Sequence, residues 1–286
     1  MGRRLLNTKP LLLFLIILSL SCGKDGNNPT SSGKKNDIEG ITFVTIPAGS
    51  FRMGDIQNYG VYSHEKPVHD VSISSFQMSI SEITQGQYKR IMGSVRASDA
   101  LGKSDSISVY SVDWYDAVRF CNVLSDAADF ERCYDESSWF CDFNKNGFRL
   151  PTEAEWEYAC RAGTETMFYT GNNLSSDAKI STDLAEAGWY HGNNNYHTYP
   201  VGLKEPNAWG LYDMHGNESE WCNDWYSNSY YSSSSLNNPI GPSSGDRRVL
   251  RGGDWYSYAV ACRSAARGSF RPLEKSYHWG FRVVRR

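Results

Sequence analysis

The stretch whose reading decides the fold is Phe148–Gly163, FRLPTEAEWEYACRAG. Thr152 offers a hydroxyl to the free amides of a helix start, and Glu155, three residues on, can reach back to the Thr152 amide. That is a capping box, and the spacing predicts a helix with Trp156, Ala159 and Cys160 on its inner face. Glu153, Glu155 and Glu157 resemble paired carboxylates for acid–base work. Acidic residues in a first helical turn more often complement the macrodipole and cap open amides, and that role is expected of them here. Cys160 reads as a small buried hydrophobe.

Upstream, Ile41, Phe43 and Ile46 alternate with Thr42 and Thr45 as in a strand, and Pro47-Ala48-Gly49 turns the chain into Phe51-Arg52-Met53-Gly54. Val68–Ile73 is a further strand. His64 and His69 flank it, and single histidines beside a strand are expected to be structural or surface residues. Two more helices are announced by capping boxes, Thr84 with Gln87 and Asp113 with Asp116. Tyr88, Ile91 and Met92 form the apolar face of the first, and Ala117, Phe120, Cys121 and Leu124 that of the second. After Gly163 no further helix is predicted. Asn, Gly, Ser, Tyr and Trp dominate there, with strand-like ends at Val249-Leu250 and Phe281–Val284. Aromatic residues are 14% of the chain, with 18 Tyr and 9 Trp, and long helical periodicities are missing, which suits short elements and ordered loops. A net charge of -3 with scattered Lys and Arg excludes the clustered basic footprint of a nucleic-acid binder.

The N-terminus has the form of an export signal. Arg3 and Arg4 precede an apolar run, Leu11–Leu20, that is well short of the roughly 20 residues needed to span a bilayer. Cys22 follows directly, resembling the lipobox of bacterial lipoproteins, with Ser19 where that motif usually has Leu. The expectation is a signal peptide over 1–22, lipidation of Cys22, a flexible tether over 23–38 and a folded domain over 39–286, held at the bacterial cell envelope, on the outer membrane or cell surface, by its lipid anchor. Cys121, Cys133, Cys141, Cys160, Cys222 and Cys262 then lie in a compartment that permits disulfides, and Cys133 with Cys141, at the ends of CYDESSWFC, is the favoured pair. No Cys/His set has zinc spacing.

Several long motifs fall in a familiar order: FRMG (51–54), EKPVH (65–69), EITQGQY (82–88), FRLPTEAEWEYACRAG (148–163), NAWGLYDMHGNESEW (207–221), VLRGGDW (249–255) and GFRVV (280–284). Together they resemble the formylglycine-generating enzyme, or sulfatase-modifying factor, family over about residues 41–285. The resemblance implies one α+β domain of that family's fold, related to C-type lectins, with much irregular backbone. It also implies a structural calcium site at Asn217, Glu218, Glu220 and Cys222, with side-chain oxygen from Asn217 and Glu220 and carbonyl oxygen from Glu218 and Cys222, a donor set that suits a hard cation.

The family's enzymes oxidise a substrate cysteine to formylglycine with two reactive cysteines after a GGS motif, which bind copper in bacterial forms. Here the motif is Gly252-Gly253-Asp254, and Ser257 stands where the first cysteine belongs. A hydroxyl replaces a thiolate neither as a soft ligand nor as a redox group, so copper is not expected and no catalytic residue is assigned. Cys262 lies near the second position in a shorter segment.

Two other functions compete with that oxidase. One is a ligand-binding lipoprotein whose partner is a protein or a glycan. Trp255, Tyr256, Ser257, Tyr258, Ser269, Phe270, Tyr277, His278 and Trp279 are the candidate contact residues, since rigid amphipathic rings among small residues suit recognition. In its sharper form the chain resembles the variable proteins of diversity-generating retroelements, some of which carry this domain and end at GFRV, with changeable positions at Tyr256–Tyr258, Gly268–Phe270 and Ser276–His278. The other is a structural lipoprotein of an envelope or secretion assembly.

Overall fold

A computed structural model describes residues 1–2, 36–60, 62–96, 101–171, 173–174 and 179–286. Cys22, the signal segment and residues 23–35 of the expected tether lie outside the described residues. The fold belongs to the unit Gly33–Arg286, and no helix among the described residues is long and apolar enough to cross a membrane.

The predicted N-terminal elements form, with one change of boundary. Residues Asn36–Ile38, read as tether, are strand β1, paired antiparallel with β2 (Ile41–Ile46). The turn at Glu39-Gly40, both at positive φ, folds one onto the other. β3 (Gly49–Met53) and β4 (His69–Ile73) make a separate two-stranded ribbon. β5 (Phe76–Ser79) lies between β2 and the last strand, β10 (Val284–Arg285), so the C-terminus closes the sheet that the N-terminus opens. A third sheet, in the order β8 (Gly268–Phe270), β7 (Arg248–Arg251), β6 (Ser219–Trp225), β9 (Trp279–Gly280), carries the C-terminal motifs.

All three capping boxes are present, at the starts of α1 (Gln85–Met92), α2 (Trp114–Ala127) and α3 (Glu153–Arg161). The α2 residues Ala117, Phe120, Cys121 and Leu124 are fully buried in one core cluster with Phe43, Phe148, Trp221 and Phe281. Trp156, Ala159 and Cys160 of α3 join a second cluster. The expectation that helices end at Gly163 is overturned by a short fourth, α4 (Thr182–Ala187), where the Ser181 hydroxyl accepts from the Leu184 amide. Its six residues, in a polar stretch, are too few to show a helical period.

The glutamates of α3 do far more than complement a dipole, because the whole helix is buried. Glu155 accepts from the Thr152 amide and forms a two-pronged pair with Arg149, at 2.6 and 2.7 Å. Glu153 is gripped by Arg267 at 2.6 and 2.7 Å, with Arg251 3.4 Å away. Burial opposes its charge, yet Arg267 and Arg251 prevail and hold its carboxyl below the usual range. Glu157 takes Arg161, the Gly54 amide and Arg251.

The predicted Cys133–Cys141 disulfide is corrected: all six cysteines of the domain are free and buried. The hairpin does form, with the Asp142 amide donating to the Cys133 carbonyl. The Cys133 thiol, however, turns towards the Lys145 carbonyl at 3.9 Å.

Removing one member of the α3 network strands a buried charge, which costs about 3–5 kcal/mol. Glu157→Gln is expected to lose stability of that order in urea denaturation, whereas Arg132→Gln, in an exposed pair with Asp126, is expected to stay within about 1 kcal/mol of the parent.

Candidate functional site

The arginine network aims β7 and the loop after it. Arg251 ends the strand with its side chain fully buried, donating to Glu157 and to the carbonyls of Ser264, Ala265 and Ala266. Gly252 and Gly253 follow at φ +93° and +70°, where a side chain is strained. A Cβ on Gly253 would also sit 2.7 Å from the Cys262 sulfur. The glycine therefore admits a close approach of the Ala259–Cys262 turn, and the turn in turn places Tyr256 and Tyr258 at the surface.

Between these residues and strands β8 and β9 lies a cleft of about 420 Å³, lined by Arg251, Gly252, Gly253, Asp254, Tyr256, Ser257, Phe270 and His278 among others. Asp254 is its polar centre. Its carboxylate accepts from the Ser219 hydroxyl at 3.1 Å, the Ser257 hydroxyl at 3.0 Å and the Tyr256 amide at 3.0 Å. Burial raises its pKa against the opposing influence of His278, whose Nδ1 lies 4.0 Å away. These bonds order the cleft around Asp254.

The contact residues expected from sequence divide into two groups. Tyr256, Tyr258 and Tyr277 are exposed, Tyr256 by 57%, and Phe270 and His278 line the cleft. Trp279, at 8% exposure, lines the cleft, whereas Trp255, at 5%, is buried outside its lining. Trp255 packs against His278 and its amide donates to the Asn217 carbonyl, while Trp279 packs on Trp221 and Phe270. Ser269 does not line the cleft, since it pairs with Val249 in the sheet and its carbonyl accepts from Arg247. Tyr277 stacks edge-on against Tyr110, outside the cleft lining.

Sequence reasoning missed a second rim. The 189–199 loop delivers His191 and Tyr196, the latter 62% exposed, against Tyr256 and Tyr258. Hydrogen bonds hold it there: the His191 backbone N–H donates to the Ser257 carbonyl, and the Asn194 side-chain amide to the Trp255 carbonyl. A lone Tyr after GNNN carries no periodic signal, so nothing in the local sequence points to that partnership.

Beside the Gly253-Asp254 turn lie the Ser257 hydroxyl and the Cys262 thiol. Ser257 is committed to Asp254. Cys262 is fully buried, and burial pushes its thiol well above the usual range. Cys160 lies 3.8 Å from His215, but burial raises the thiol to about 12 and lowers the imidazole to about 3, so both are neutral at pH 7.

Three of the four expected calcium ligands have partners within the protein. Glu220 is held by Arg282 through two bonds of 2.6 Å and by the Trp156 indole at 2.8 Å. The Cys222 carbonyl accepts from the Trp114 indole. Asn217, at φ +60°, bridges the Tyr199 amide to Glu82. Among the described residues no three His, Cys, Asp or Glu side chains are placed to hold a metal. Asn217 and Arg282 tie these loops through their own hydrogen bonds. What remains is a residue of buried acid: both carboxylate oxygens of Glu218, one of Glu82 and one of Asp213 have no partner. Burial raises the pKa of all three, Asp213 to about 6.

A mixed sheet-and-helix domain with long ordered loops and a shallow aromatic cleft defines the formylglycine-generating-enzyme class of fold, which is C-type-lectin-like. The family described as sulfatase-modifying factor enzyme 1-like domain matches residues 29–286, and the chain belongs to that family. It is 30% identical to a formylglycine-generating enzyme of Streptomyces coelicolor, covering 84% of this chain and 88% of the relative. It is 28% identical to chaperone protein LppX of Paenibacillus barcinonensis, over 96% and 98% of the two chains. Among solved structures, Treponema denticola variable protein 1 is similar at 31% identity with a TM-score of 0.75, covering 88% of this chain and 98% of that one.

The orphaned carboxyls set a pH dependence. Their pKa is raised in the folded state, so the folded chain binds more protons and loses stability as pH rises from the unfolded value near 4.5 through the folded one. In a chelator-containing buffer, Glu218→Gln is expected to raise the urea midpoint at pH 8 and to change it little at pH 4.5. A midpoint that falls at pH 8 contradicts the protonated-carboxyl reading.

Proposed function

We propose that this protein is an exported, lipid-anchored binding module of its family, attached to the bacterial envelope through Cys22, which recognises a protein or glycan ligand with the aromatic rim of the cleft. The observation that carries the reading is the joint rim of Tyr196, Tyr256 and Tyr258 with His191 and His278. Rings of this kind give large contact area at low conformational cost, and their hydroxyls and imidazoles keep hydrogen-bonding capacity for a polar partner.

The likeness to the Treponema variable protein supports the sharper form, in which the exposed positions of the C-terminal segment vary while Arg251-Gly252-Gly253 and Gly280-Phe281-Arg282 stay constant. The energetics agree with that division. The constant residues are clamped by buried ion pairs or forbidden a side chain, and Tyr256, Tyr258 and Tyr277 face solvent, where substitution costs little stability. Formylglycine formation is disfavoured because Ser257 replaces the thiol that such chemistry requires.

Against a panel of glycans and envelope proteins, Tyr196→Ala and Tyr256→Ala are each expected to weaken the bound ligand by about 2 kcal/mol, roughly 30-fold, with unchanged thermal midpoints. Cys22→Ser is expected to release the protein from the membrane fraction. Aldehyde formation on a cysteine-bearing sulfatase-type peptide, with copper and oxygen supplied, would establish the oxidase in place of the binding module.

A further inference from the structure

Seven arginines are buried among the described residues, and six of them meet a carboxylate: Arg149 with Glu155, Arg161 and Arg251 with Glu157, Arg263 with Glu65, Arg267 with Glu153 and Arg282 with Glu220. Arg248 is the exception. Its guanidinium is sandwiched between two indoles, 3.8 Å from the ring centre of Trp114 and 3.5 Å from that of Trp225. Nη1 donates to the Asn223 carbonyl, and Nε is buried with no acceptor. The nearest strand carboxylate, Asp224, is directed elsewhere. It accepts the Glu153 amide and makes no direct ion pair with Arg248, and burial holds its carboxyl well above the usual range. Burial pulls Arg248 down only to about 10, so it stays a cation at neutral pH.

This unpaired cation opens on a cleft of about 410 Å³ that shares no residue with the one described above. Tyr115, Trp139, Phe140, Trp225 and Ile240 form its walls. Phe140 and Ile240 are 67% and 48% exposed, large apolar side chains left in solvent at the mouth. The volume suits one small molecule. Both faces of the guanidinium are covered by indoles, so a ligand meets it only along its edge, in the plane of the fork. That approach is the one a carboxylate uses, and it gives the charge-assisted bonding that the buried cation lacks. The apolar walls call for a flat hydrocarbon body behind the charge.

We propose that this second cleft is a binding site for a small aromatic carboxylate, the acid group on the edge of Arg248 and the ring between Phe140, Trp139 and Ile240. The site is independent of the aromatic rim and of whether that rim binds a protein or a glycan. A cation stacked between two indoles is adequate as packing without any ligand, and the test separates the two roles.

Binding of phenylacetate and indole-3-acetate to the full chain is measured by saturation-transfer NMR and calorimetry, with the corresponding neutral amides as controls. The acids are expected to bind at least roughly tenfold more tightly than the amides. Phe140→Ser and Ile240→Ser, at exposed positions that do not threaten the fold, are expected to weaken the acids several-fold. Arg248→Lys is expected to abolish the preference for acid over amide if it folds. Equal binding of acid and amide overturns the proposal, as does no binding of either at millimolar concentration. Acid binding that is unchanged in both the Phe140 and Ile240 variants also overturns it.

Discussion

The structure depends on one buried electrostatic arrangement, the three carboxylates of α3 facing arginines drawn from distant parts of the chain. Glu153, Glu155 and Glu157 occupy a helix with no exposed face, so each charge must be matched inside the protein. Their partners come from the helix itself (Arg161), from the segment before it (Arg149), and from the C-terminal third (Arg251 and Arg267). A loop-rich fold lacks the continuous hydrogen-bond ladders that orient helices and large sheets. Here forked guanidinium–carboxylate pairs supply that orientation, since their planar geometry fixes direction as well as distance.

The same arrangement positions the surface that faces partners. Arg251 is tied to Glu157 and to the carbonyls of residues 264–266, so the strand end and the returning segment are held together from beneath. Gly252 and Gly253 then turn the chain outward, and Arg282 with Glu220 and Trp156 performs the equivalent task at the other end. Residues 256–258 and 276–278 can differ in side chain without touching these anchors. A rigid interior beneath a permissive rim is what a recognition surface requires.

The balance of buried charge is uneven, and its two ends differ in sign. Around Asn217, the carboxyls of Glu82, Asp213 and Glu218 keep oxygens without partners, and burial raises their pKa. At the outer side of the β6–β7 pair, Arg248 is a cation without a carboxylate. The first imbalance is relieved by protons. The second lies beside a cleft, where a ligand can relieve it.

Local chemistry in the sequence was enough to define the three long helices, because a capping box and an apolar stripe act within one or two turns, and Thr84, Asp113 and Thr152 each carry both signals. The strands of the first half were legible for the same reason, and the motif order identified the family. Three things were decided only by tertiary structure. Glu220 met Arg282, and Trp255 turned inward, because partners 62 residues away or on another strand determine where a side chain can be satisfied. The rim acquired His191 and Tyr196 because a loop with no period of its own is fastened by hydrogen bonds to the carbonyls of Ser257 and Trp255. Arg248 became an unpaired cation only when the fold had assigned the neighbouring carboxylates elsewhere. Sequence determines what is local in range; charge pairing and burial are properties of the whole assembled chain.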